Sequence, residues 1–259
     1  MAISTSSTAS DHEPKVPIRL IWKSVISRLS GTPAPPHTIV PVSPPLTYLA
    51  DAVDSDWLVA SLTTFGHSVG SFLPTAFEAY ARVYHAIQSN RTASDPLPRL
   101  HALAETHRID LRDSAAVSAF FERMRSDFWE ETGSLSLRET SVLLEHLGPA
   151  TETADHCRFA LWYGFGDSLV PADVRPTLQL PGRAYHMFSG PIGGAKINLS
   201  SSTLTTRSAN LWWPADHAWC VATEIDLPWT YVGGSRACID RLVDDGRLDA
   251  QRVAVAAHR

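Results

Sequence analysis

The chain has 259 residues, 44% of them apolar and 19% charged, with a formal net charge of −5. That composition excludes global disorder and suffices for a sizeable core. The acidic balance argues against a nucleic-acid partner held by the whole surface. No apolar run reaches the length of a membrane span, so no transmembrane segment is expected. The N-terminus lacks the order of a secretory signal. The three Cys, at 157, 220 and 238, show no zinc-site spacing and no disulfide framework. They read as small buried hydrophobes in a reducing, cytoplasmic compartment, and no cofactor or metal is implied.

Residues 1–46 read as a flexible Ser/Pro-rich extension, and 47–259 as a single globular domain. Within the extension, Ile18, Ile21, Trp22, Val25, Ile26 and Leu29 share one helical face at 16–30, flanked by Arg19, Lys23 and Arg28. Such a helix either docks on the protein's own core or meets a membrane surface or a partner. Residues 31–46, with six Pro, read as a tether. Helices are then expected at 56–65, capped by Asp54 or Ser55, and at 74–88. Pro74 suits the first turn of the second, and Phe77, Tyr80, Ala81 and Tyr84 form its stripe. Further helices are expected near 97–107, at 113–127 with Asp113 as cap, and at 137–147. Ser136 and Glu139 form a capping box for the last, and Gly148-Pro149 ends it.

The second half reads as strands: 157–165, 177–180 and 184–189 around a Pro181-Gly182 turn, then 219–226 and 229–232. A helix at 236–244 follows Gly233-Gly234-Ser235. Helices first and strands later give an α+β fold, with a helical N-terminal half packed on a mostly antiparallel sheet from the C-terminal half.

Four blocks stand out: 74–83, 157–166, 180–191 and 211–235. In that order they resemble a group of uncharacterised bacterial proteins to which no activity is assigned. The resemblance implies that about residues 55–250 form one evolutionary unit. It carries no catalytic or binding residue.

The densest chemistry lies in 211–235, which holds four of the eight Trp. Trp162, Trp212, Trp213, Trp229 and Tyr231 are candidates for an aromatic-lined groove that takes a small ligand or a protein partner. Trp219 shares a core face with Val221, Thr223 and Ile225. Adjacent residues of a strand point to opposite faces, so at least one of Trp212 and Trp213 is expected to be partly exposed. Glu224 and Asp226, two apart on the outer face, either divide acid and base roles, hold a cation, pair with an Arg or are simply solvated. His217, in the turn beside Asp216, is a candidate general base or a surface turn residue. His186 reads as a buried histidine with one hydrogen-bond partner. The glycine-rich stretches 189–194 and 233–235 lack the pattern of a phosphate loop, and 164–166 reads as strand termination. No nucleophile motif is present. The favoured function is non-catalytic binding. The alternatives are a hydrolase-type enzyme using Glu224, Asp226 and His217, and peripheral docking through 16–30.

Overall fold

The computed structural model describes residues 46–255 apart from 53, 63–67, 90–98, 111–112, 125–127 and 131–132. The described residues fall in one unit, Ile39–Arg259. The amphipathic helix expected at 16–30 lies outside them.

The fold is α+β. Nine antiparallel strands form the main sheet. They are β1 (Thr47–Leu49), β2 (Ala79–Tyr84), β5 (Cys157–Trp162), β6 (Leu178–Leu180), β7 (Arg183–Gly190), β8 (Leu211–Pro214), β9 (Trp219–Thr223), β10 (Trp229–Gly234) and β11 (Asp249–Val253). Their order is β1-β7-β5-β8-β9-β10-β2-β11, with β6 beside β7. A separate ribbon pairs β3 (Ile87–Ser89) with β4 (Phe128–Glu130). The helices are α1 (Asp56–Ser61), α2 (Leu100–His107), α3 (Ser114–Met124), α4 (Leu137–Leu147) and α5 (Arg236–Asp244).

Both faces of the sheet are covered. On one face Phe159, Phe188, Trp212, Trp219 and Val221 pack with Leu143 of α4 and Ile239 of α5. On the other, Trp213, Cys220, Ala222 and Tyr231 pack with Leu58 of α1, Leu100 of α2 and Phe120 of α3. Antiparallel sheets often leave one face wet; this one does not. Every residue of β2, β8, β9 and β10 is buried.

Several local expectations hold. Asp113 Oδ1 accepts the amides of Ala115 and Ala116 and caps α3. The α4 capping box is complete: Ser136 Oγ accepts from the Glu139 amide, and Glu139 Oε2 accepts from the Ser136 amide. Pairing of Leu180 with Arg183 leaves Pro181-Gly182 as a two-residue turn, with Gly182 at φ +72°. Ser235 Oγ accepts from the Cys238 amide and caps α5.

Two expectations are corrected. The helix at 74–88 is instead a turn followed by β2. The Tyr80 hydroxyl donates to the Pro74 carbonyl and accepts from the Phe77 amide, which closes the turn. Residues 79–84 also alternate: Ala79, Ala81 and Val83 enter one core, Tyr80 and Tyr84 the other. That two-residue period prevails because β2 is flanked by β10 and β11 and buried on both faces. The helical N-terminal half is therefore not segregated. Strands β1 and β2 enter the main sheet, and helices and strands interleave.

Candidate functional site

The aromatic residues of 211–231 are interior. Trp212 and Trp213 do point to opposite faces, yet they are 1% and 0% exposed, because each face carries its own core. Contrary to the expectation from strand alternation, neither is exposed, since both faces of the sheet are covered. Trp219 is buried, and its indole N–H donates to the Leu147 carbonyl at the end of α4, 2.9 Å away. Trp229 and Tyr231 are buried around the chain's own cation. The Arg82 guanidinium lies 4.6 Å from the Trp229 ring and 5.4 Å from the Tyr231 ring, and donates to the Tyr231 hydroxyl. Trp162 is half-buried, with its ring against Gly164.

The two carboxylates separate as well. The Arg183 Nε and Nη2 atoms donate to Glu224 Oε1 at 3.1 and 2.5 Å, and Glu224 is buried. Asp226 Oδ2 lies 3.7 Å from the same guanidinium, with a side chain 77% exposed. The Arg-paired alternative thus describes Glu224. His217 sits at the other end of β9, whose five residues span about 13 Å. The three residues do not converge.

His217 instead joins residues that nothing in the sequence pattern links to it. Its Nε2 lies 2.9 Å from Asp54 Oδ1. A carboxylate oxygen accepts, so Nε2 is the donor of this bond. The imidazole stacks on Trp57, with centroids 4.2 Å apart and planes at 16°. Trp57 meets Trp213 edge-on at 6.2 Å. Trp213 stands directly across from Arg158 in the β5–β8 pairing. Arg158 Nη2 returns to Asp54 Oδ2 at 4.0 Å. The five side chains close a ring between α1, the β8–β9 turn and the sheet.

Two properties distinguish this ring. Asp54 and His217 hold φ of +60° and +55°, the left-handed region that non-glycine residues seldom adopt. Such backbone costs on the order of 1–3 kcal/mol per residue, with Asp at the low end, and clusters at functional sites. Further, Asp54 Oδ2, Trp57 Nε1, Arg158 Nε and Trp213 Nε1 are buried with no hydrogen-bond partner among the described residues. Each such group costs about 1–3 kcal/mol relative to a paired one. The ring still reaches solvent: the His217, Asp54 and Arg158 side chains are 32%, 24% and 18% exposed. Asp216 plays a different part. Burial alone pushes its carboxyl up, but hydrogen bonds from Thr151 and the Glu152 and Ala218 amides outweigh it and hold the group below the usual range.

Thr177 Oγ1 and Trp229 Nε1 are likewise buried with no hydrogen-bond partner among the described residues, whereas several other polar features are satisfied within the chain. The amide of Arg236, at the start of α5, donates to Glu78 Oε2 at 2.9 Å, so the chain's own carboxylate takes the anion's place there. A cleft is lined by Tyr84, Arg99, Arg138, Glu139, Arg247 and Asp249 among others. Its charges are largely engaged: Asp249 by His101, Arg247 by Asp245 and Glu145, Glu139 by the capping box. His186 is buried, with Nδ1 3.4 Å from the Tyr48 hydroxyl, and burial lowers its proton affinity. All three Cys are buried and free; burial pushes the Cys157 thiol up to about 12, and those of Cys220 and Cys238 also upward. Such thiols are poor nucleophiles. Among the described residues no group of three or more His, Cys, Asp or Glu is placed to hold a metal ion, and no helix is long and apolar enough to cross a membrane.

Asp54, Trp57 and Arg158 escaped the sequence reading because they lie 163, 160 and 59 positions before His217. Only the sheet brings them together. Compared with protein families, curated proteins and solved structures, the chain matches none.

Proposed function

We propose that this protein recognises a small polar ligand at the ring of Asp54, Trp57, Arg158, Trp213 and His217. The aromatic groove expected along 211–231 is thereby moved to a place where an aromatic face, a charged pair and partial exposure to solvent coincide. The observation that carries the reading is the set of four buried polar atoms without partners, held beside two residues in left-handed backbone. A folded chain retains such groups at a cost, and a ligand that pairs them recovers it. The reading is tested by thermal-shift titration of the full chain against a metabolite library. Hits are expected to vanish in Arg158→Gln and Trp57→Phe and to persist in Arg241→Gln, on α5. Hits unaffected by both ring substitutions would remove the site from consideration.

A second reading has one specific support. The Asp54–His217 pair orients an imidazole through its Nε2, and a His held by a carboxylate is the common general-base arrangement. On this reading the protein is an enzyme acting on a polar small molecule through His217 and Asp54, without Glu224 and Asp226. Turnover of a library hit that is lost in His217→Gln while binding persists would favour it over pure recognition.

A further inference from the structure

We infer that the ligand of this ring is a small zwitterion of the amino-acid type, one that carries an anionic oxygen group together with a cationic nitrogen donor. This rests on the binding role proposed above and concerns the chemistry of that same site. Three of the four unpartnered buried atoms are N–H donors: Trp57 Nε1, Trp213 Nε1 and Arg158 Nε. Indole N–H and guanidinium N–H cannot accept, so what pairs them must present acceptor oxygens. Arg158 contributes the positive charge, and charge-assisted bonds from guanidinium to carboxylate are the strong ones. The fourth atom, Asp54 Oδ2, is an acceptor, and its carboxylate is negative; it calls for a donor, best a cationic one.

The charges decide between a plain anion and a zwitterion. Arg158 and Asp54 lie 4.0 Å apart and carry opposite charges. A lone anion would face Asp54 as well as Arg158, and a lone cation would meet Arg158. A zwitterion sets its anionic group toward Arg158 and the two indole N–H groups, and its ammonium toward Asp54. Each ring charge then gains a second partner of opposite sign beside the one it has in the Arg158–Asp54 pair. The stacked Trp57–His217 pair adds a flat apolar wall beside this polar end, suited to the rest of the molecule.

The test is nitrogen–proton correlation spectroscopy of the indole N–H groups in the full chain. The Trp57 signal is assigned by its loss in Trp57→Phe, and the Trp213 signal by its loss in Trp213→Phe. The probes are the twenty standard L-α-amino acids, with acetate, inorganic phosphate and ethylammonium as single-charge controls. One or more amino acids should move both indole signals. The controls should bind at least about tenfold more weakly, the worth of one charge-assisted hydrogen bond. In Arg158→Gln the response to amino acids should fall by a similar factor. If Trp213→Phe does not fold, the Trp57 signal alone carries the test. Acetate or phosphate binding as tightly as any amino acid would overturn the zwitterion and leave the site standing. The zwitterion is equally overturned if a non-zwitterionic library compound moves the signals and no amino acid does. No movement with any probe or library compound would overturn the site itself.

Discussion

At Trp212 and Trp213 one peptide bond separates two side chains that belong to opposite layers, each fully enclosed. Removing either leaves a cavity in a packed core, and aromatic-to-Ala changes of this kind cost about 3–5 kcal/mol. Trp212→Ala and Trp213→Ala should therefore each lower the urea midpoint markedly. His186 gives a pH signature with a definite sign. Burial holds its imidazole below the ordinary histidine range, so the unfolded chain takes up a proton near pH 6.5 while the folded chain resists. Its stabilising contribution is complete above that pH and declines as pH falls through the window below it. Denaturation at pH 7 and pH 5.5 should show a smaller loss on acidification in His186→Gln than in the wild type.

Elements fixed by their own termini were legible in the sequence. Ser136 and Glu139 announce α4, Asp113 announces α3, and Pro181-Gly182 announces the β6–β7 turn, because each signal acts within four residues. Ser136→Ala should cost about 1 kcal/mol, read as a shift in denaturation midpoint, since it frees a helix-terminal amide. The strand β2 was not legible in the same way. Phe77, Tyr80, Ala81 and Tyr84 fit a helical stripe, and Ala79 to Tyr84 equally fit a strand alternating small against large. Local spacing does not choose between them; the neighbours β10 and β11 do, and they arrive about 150 and about 170 residues later in the chain. The candidate site failed to show for the same cause. His217 carried a visible signal, a turn histidine beside an aromatic pair, while its partners gained meaning only through strand pairing.

Across the whole molecule, the insertion of β2 between β10 and β11 ties the two halves into one sheet. A fragment of residues 151–259 would lack β1 at one edge and would have β10 and β11 with nothing between them. Exposed strand edges of that kind are open to aggregation. That fragment should show no cooperative thermal transition alone, and one should reappear on co-expression with residues 46–150, as followed by circular dichroism. Pairings so distant in sequence also place folding of the intact chain at the slow end for its size.

The double-sided burial of the Trp pair makes positions 212 and 213 a matched set of probes. Fluorine introduced on the two indoles would give signals from adjacent residues that sense separate layers, one backed by α4 and α5, the other by α1, α2 and α3. Were both signals to broaden at the same denaturant concentration, the layers would be melting as one cooperative body. A signal from residue 213 that changed first would identify the α1–α3 layer as the looser one, and that is the layer in which Asp54, Trp57 and His217 stand.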